Sequence, residues 1–148
     1  KIKAKERQQN ESAGLENSGL LDGIGSTLPE IARSLKMQRR AASVGFDWQD
    51  SSQVMAKIAE ELNELQHEIQ CATERARITE EFGDLMFSCI NLARHLKIDP
   101  ELALHKTNNK FKRRFEYLEK RLKAENRTLY ESDIEEMESL WQEAKKHF

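Results

Sequence analysis

From residue 28 to the end of this chain, apolar side chains recur at every third or fourth position, the period of an α-helix, and neither of the two prolines breaks the pattern. Pro29 and Pro100 each stand where a helix would begin, followed by Glu30 and Glu101, and Asp99 precedes Pro100 as a cap. The spacing predicts a first helix from about Pro29 to Val44, ended by Gly45. A second helix, capped by Ser51 or Ser52, continues to about Glu74. A third spans roughly Arg77–Lys97, a fourth runs from Asp99-Pro100 to near Ala124, and a last one starts at Ser132 or Asp133. No strand-like alternation persists. The expectation is an all-α protein, an antiparallel bundle of about five helices joined by short loops.

Four of the six glycines fall in the first 25 residues, among Asn, Ser and Glu. Residues 1–27 therefore read as a linker or the tail of a preceding domain, in part disordered, and residues 28–148 as the folded domain. The absence of an initial Met fits a piece of something longer. A net charge of −2 offers no footprint for nucleic acid. No apolar run approaches the roughly 18 residues that would span a bilayer, and residues 1–9 lack a signal-peptide core, so a cytoplasmic location is expected. Cys71 and Cys89 have no metal-ligand spacing and read as small packing residues. In Gly45-Phe46-Asp47-Trp48 the two aromatics read as plugs for the core.

The informative feature is where the carboxylates fall. At about 100° per residue, Val54, Ile58, Leu62, Leu65 and Ile69 form an apolar stripe on the second helix. Glu61 lies at its edge, Glu64 follows on the same side, and Glu60 falls toward solvent. On the third helix Ile78, Phe82, Leu85, Met86, Cys89, Leu92 and Leu96 form a stripe bordered by Glu81 and Asp84, then by Ser88, Asn91 and His95. A single carboxylate beside a stripe is ordinarily a solvated flank. Two pairs at i,i+3, in matching phase on antiparallel neighbours, would repel in a partly dry cleft unless a divalent cation sat among them. Oxygen ligands suit Mg²⁺, with Mn²⁺ able to substitute.

The fourth helix supplies the opposite charge. Leu104, Phe111, Phe115, Leu118 and Leu122 form its stripe, with Lys110, Arg114, Tyr117 and Arg121 along one side and Arg113 facing away. The last helix sets Ile134, Met137, Trp141 and Phe148 in line, with Lys145 one turn beyond Trp141. Cations bordering a carboxylate–metal site suit a polyphosphate; snorkelling basic side chains are the alternative for Arg121 and Lys145. Trp141 is either a core aromatic or a stacking surface for a base.

Glu60-Glu61-Leu62-Asn63-Glu64 followed by Glu81-Phe82-Gly83-Asp84 is similar to the EExxE…ExxD signature of the MazG family of all-α nucleoside triphosphate pyrophosphohydrolases. In the expected order come also Val44-Gly45-Phe46-Asp47-Trp48, Asn91-Leu92-Ala93-Arg94-His95-Leu96, Lys110-Phe111-Lys112-Arg113-Arg114-Phe115 and Trp141-Gln142-Glu143-Ala144-Lys145. The chain resembles most the C-terminal half of MazG proteins with two such domains, which makes residues 1–7 the end of a first domain. The resemblance implies a homodimer that hydrolyses an NTP or dNTP between the α- and β-phosphates. It implies metal ligands at Glu61, Glu64, Glu81 and Asp84, and substrate contacts at Lys110, Arg114, Trp141 and Lys145. Glu61 and Glu60 are the candidates for taking a proton from the attacking water.

Two rival readings stand beside this one. Glu64-Leu65-Gln66-His67 fits the Glu-x-x-His unit of a di-iron bundle, but the partner position carries no His. A non-catalytic dimerisation module would have lost some members of the acidic and basic sets, and these are intact. Gly83, inside a helix at a cost of roughly 1 kcal/mol relative to Ala, is read as marking close approach of another backbone, across a dimer.

Overall fold

A computed structural model describes residues 19–71 and 74–148, and all regular structure among them is helical. Five α-helices follow in order: α1 (Glu30–Ser43), α2 (Ser51–Gln70), α3 (Arg75–His95), α4 (Pro100–Ala124) and α5 (Ile134–Ala144). A 3-10 turn at Leu129–Glu131 precedes α5. The all-α class is the one expected. Most of the stretch read as a linker or tail, residues 1–18, lies outside the described residues; the turn that follows is tied to α1, where Arg40 Nη1 donates to the Leu20 carbonyl at 3.1 Å and also to that of Asp22.

The helix ends show which polar side chains won. Asp50, not Ser51 or Ser52, caps α2, accepting from the Ser52 and Gln53 N–H groups at 2.9 and 3.1 Å. Its carboxylate is the stronger acceptor for orphan amide donors, and such a cap contributes about 1 kcal/mol. Asp99 caps α4 from Pro100 onward as expected, and Asp133 caps α5 through the Glu136 N–H at 2.8 Å. Helix α2 stops at Gln70, four residues short of the expected end, with the Cys71 N–H closing the last turn on the His67 carbonyl. Gly45 ends the α1 region at φ +86°, as its permissive backbone allows. The Thr128–Glu131 capping box of the 3-10 turn was not read from the sequence.

The described residues divide into two compact units, one up to residue 98 and the other 99–148. In the first, the buried arc of α2 keeps Val54 and Leu65 of the stripe read from the wheel but not Leu62 and Ile69. Val54, Glu61 and Glu68 stand seven residues apart and all are buried, with Leu65 between them, whereas Leu62 and Ile69 are about half exposed. The helix is rotated so that two glutamates enter the seam and part of the apolar stripe, continued by Met55, faces out. Helix α3 behaves likewise: Ser88 and Ile90 are buried, while Phe82, Met86, Cys89 and Leu96 are exposed. Both cysteines are exposed, so the packing role expected of them is overturned. Phe46 is 81% exposed and Trp48 44%, so neither plugs the core; the short α1–α2 loop keeps their rings on the surface.

In the second unit Leu118 and Leu122 of α4 pack with Ala144 of α5 as its buried apolar core. Leu104, Phe111 and Phe115 are exposed, correcting the expectation that the whole α4 stripe is buried. The reason is length: α4 has 25 residues and α5 only 11, so α5 covers only part of it. A two-pronged ion pair, Arg127 to Glu136 at 2.6 and 2.7 Å, joins the end of α4 to the start of α5 and holds the Glu136 carboxyl down to about 2.

Candidate functional site

The seven-residue interval that buries Val54 also brings Glu61 against α3. There Glu81, Ser88 and His95 share one face at the same interval, with Asp84 one turn beyond Glu81 on its edge. Glu61, Glu81 and Asp84 each offer an oxygen, and these oxygens lie within 4.8 Å of one another. Glu61 is only 5% exposed, Glu81 is half-buried and Asp84 is open to solvent. Loss of water, together with the negative charges of Glu64, Asp84, Glu61 and Glu68, raises the pKa of Glu81 from its ordinary value. This is the strain a divalent cation relieves, and a donor set of carboxylate oxygens alone fits a hard ion. Three of the four carboxylates expected to bind metal are therefore gathered. Glu64 is exposed and outside the cluster, near enough for its charge to be felt by Glu81.

A cation missed in the sequence sits beside them. Lys57, one turn before Glu61, places Nζ 2.7 Å from Glu61 Oε1 and 2.9 Å from Glu60 Oε1. Hydrogen bonds to Glu61, then Glu60, raise its pKa. The i,i+4 spacing was visible, but such a pair is ordinarily helix-surface decoration. Glu68 is similarly held by Arg77 at 3.1 Å.

On the second unit, Arg114 is half-buried, donates through Nη2 to the Phe148 carbonyl at 2.7 Å and lies over Trp141 at 5.7 Å from the ring centre. Trp141 also packs on Phe111, with ring centres 5.2 Å apart. Lys110 and Lys145 are exposed, as is Arg113. Arg121 is committed to Glu143 at 2.6 Å and to the Tyr117 hydroxyl. Of the basic row along α4, Lys110 and Arg114 form no ion pair with a carboxylate among the described residues.

Two further motifs meet at the far end of α3. Asp47, in the α1–α2 loop, is gripped by both guanidinium nitrogens of Arg94 and by His95 Nε2 at 2.9 Å. Asn91 Oδ1 in turn accepts from Arg94 Nε at 3.0 Å and from Nη2 at 2.8 Å. Bonding to Arg94, helped by His95, lowers the Asp47 carboxyl from its ordinary 3.8 to about 2, against the opposing effect of burial. This clamp fixes the loop carrying Phe46 and Trp48 against a cleft of about 460 Å³.

Comparison with known proteins agrees with this chemistry. Residues 49–118 match the MazG nucleotide pyrophosphohydrolase domain, so the chain carries a domain of that kind. It is 40% identical over 146 residues to a nucleoside triphosphate pyrophosphohydrolase of Escherichia coli (strain K12), covering 98% of this chain and 54% of that protein. It is 38% identical over 144 residues to the nucleoside triphosphate pyrophosphohydrolase/pyrophosphatase MazG of Thermotoga maritima, covering 97% and 52% respectively. The chain thus spans about half the length of the curated relatives it matches. Among the described residues, no helix is long and apolar enough to cross a membrane.

Proposed function

We propose that this chain, with its MazG nucleotide pyrophosphohydrolase domain, is the catalytic part of a cytoplasmic, Mg²⁺-dependent enzyme that hydrolyses NTPs or dNTPs between the α- and β-phosphates. The products are a nucleoside monophosphate and pyrophosphate, which suits clearance of the nucleotide pool. The observation that carries this reading is the convergence of Glu61, Glu81 and Asp84, with Glu61 buried in the seam. The chain spans about half the length of its relatives, and we read it as the second of two such domains in a longer protein.

Glu61, Glu64, Glu81 and Asp84 would hold the ion, Mg²⁺ with Mn²⁺ able to substitute. When bound, such an ion supplies neutralisation of phosphate oxygens and acidification of a water. The chain's own groups do the rest. Glu61 or Glu60 would take the water's proton, a reading supported by Lys57, which holds an oxygen of each. Lys110, Arg114 and Lys145 balance the charge of the phosphates. Trp141 contacts the nucleotide and keeps the Arg114 guanidinium oriented over its ring. The working form is a homodimer, a reading supported by the apolar row left bare on α2 and α3, including Leu62, Ile69, Phe82 and Met86.

Incubation with mixed NTPs and Mg²⁺ should release pyrophosphate and monophosphates in equal amounts. Release of orthophosphate and diphosphates would refute the bond assigned. Glu64→Gln and Asp84→Asn should keep the helical circular-dichroism spectrum and lose the activity. Full activity in either would remove that residue from the metal site.

A further inference from the structure

We propose that His67 and Cys71, at the end of α2, form a binding site for a borderline-soft divalent cation of the Zn²⁺ class, separate from the carboxylate cluster. The site goes beyond the nucleotide chemistry and does not depend on it.

Neither cysteine has a ligand spacing to the other, but Cys71 has one to His67. Residues four apart on a helix are surface neighbours, and each side chain leans toward the N-terminus, so Cys71 leans over the turn that carries His67. The contact follows: Cys71 Sγ lies 3.5 Å from His67 Nε2 and 3.8 Å from Nδ1. A tetrahedral zinc ion, with Zn–S of about 2.3 Å and Zn–N of about 2.0–2.1 Å, sets a sulfur and a nitrogen ligand about 3.5 Å apart. The two donors therefore already stand at the separation that one ion requires.

Their surroundings favour a cation. Both side chains are exposed, so the remaining coordination positions stay open to water, as an ion arriving from solvent needs. Cys71 is also the C-cap residue of α2, where the last carbonyls carry the negative end of the helix dipole. On the helical wheel His67 and Cys71 lie about 140° or more from Leu62 and Ile69. The apolar row proposed for the dimer thus leaves them free.

The donor types decide the metal. Thiolate and imidazole select Zn²⁺ and its transition-metal neighbours and leave Mg²⁺ in water, the reverse of the all-carboxylate set at Glu61, Glu81 and Asp84. On binding, the Sγ–H bond breaks, the sulfur electron pair bonds to the metal, and the proton passes to solvent. His67 donates a ring-nitrogen lone pair as the neutral imidazole.

Co²⁺ is the probe for the test, because its thiolate complex absorbs strongly in the near ultraviolet and its carboxylate and water complexes do not. Added to the unaltered chain in excess Mg²⁺ and a phosphine reductant, Co²⁺ should give this band, and Zn²⁺, which binds such donors more tightly, should bleach it. Cys89→Ser should keep the band and Cys71→Ser should lose it, both with the parent's helical circular-dichroism spectrum. His67→Gln should weaken Co²⁺ binding by about tenfold or more, through loss of one of two protein ligands. No band with the unaltered chain, a band that survives Cys71→Ser, or unchanged affinity in His67→Gln overturns the proposal. None of these readouts involves nucleotide hydrolysis, so the carboxylate site stands or falls separately.

Discussion

Replacing Asp47 by Asn tests whether the loop beside the cleft is held electrostatically. The carboxyl is about three-quarters buried and bonded to Arg94 and His95, and its pKa is lowered from 3.8 to about 2. A folded-state pKa below the unfolded one means that the folded protein prefers the ionised carboxylate. That preference contributes about 2 kcal/mol of stability, fully present above pH 4 and lost as the pH falls through about 2. Asn keeps the shape and cannot ionise. Urea unfolding at pH 6, followed by Trp48 fluorescence in a Trp141→Phe background, should show Asp47→Asn less stable by about 2 kcal/mol, a midpoint lower by about 1 M. As the pH approaches 2 the two curves should converge, because the parent loses what the variant never had. A gap that stays constant with pH, or is absent at pH 6, would show that the clamp is geometric only.

Three further outcomes follow from the same contacts. Adding Mg²⁺ or Mn²⁺ at a hundred times its dissociation constant should raise the unfolding free energy by about 2.7 kcal/mol; Glu81→Gln, which removes one of the three gathered ligands, should lose most of that rise. Arg114→Ala should lower kcat/KM by about a hundredfold, while Arg113→Ala should cost less than about twofold, since Arg113 is exposed and Arg114 is seated on Trp141; equal losses would reverse the assignment. A Cβ at Gly83 meets nothing within 4 Å, so Gly83→Ala should stabilise the isolated protomer by about 1 kcal/mol. Destabilisation in thermal unfolding of the monomeric form would show that the space is not free.

How far the sequence revealed this is clearest on α2. The 3.6-residue period identified the helix, and the i,i+3 spacing singled out Glu61, which joins the acidic cluster, and Glu64, which stays outside it. Yet of the stripe Val54, Ile58, Leu62, Leu65 and Ile69, Leu62 and Ile69 are half exposed, and Glu61 and Glu68 share the buried seam with Val54 and Leu65. A wheel weighs side chains by apolarity and cannot see that Lys57 and Arg77 make burial of two glutamates tolerable. Caps shifted for a similar reason: Asp50 and Ser52 are both cap formers, and only the backbone geometry chooses between them. The role of the Phe46–Trp48 loop was illegible because its anchor, Arg94, lies 47 residues away in sequence.

The seam of α2 carries a consequence for how such a chain drifts. Leucine at positions 61 and 68 would continue the seven-residue pattern begun by Val54, and with Lys57 and Arg77 also made apolar it would replace both members of each pair, an exchange that is often neutral or stabilising in buried ion pairs. Sturdiness alone would therefore favour erasing the carboxylates from the interior, and a copy freed from catalysis has a downhill route to a more robust helix. Under the metal-binding role proposed for it, Glu61 serves as a tell-tale: a descendant that keeps the helices but carries leucine there has exchanged chemistry for endurance.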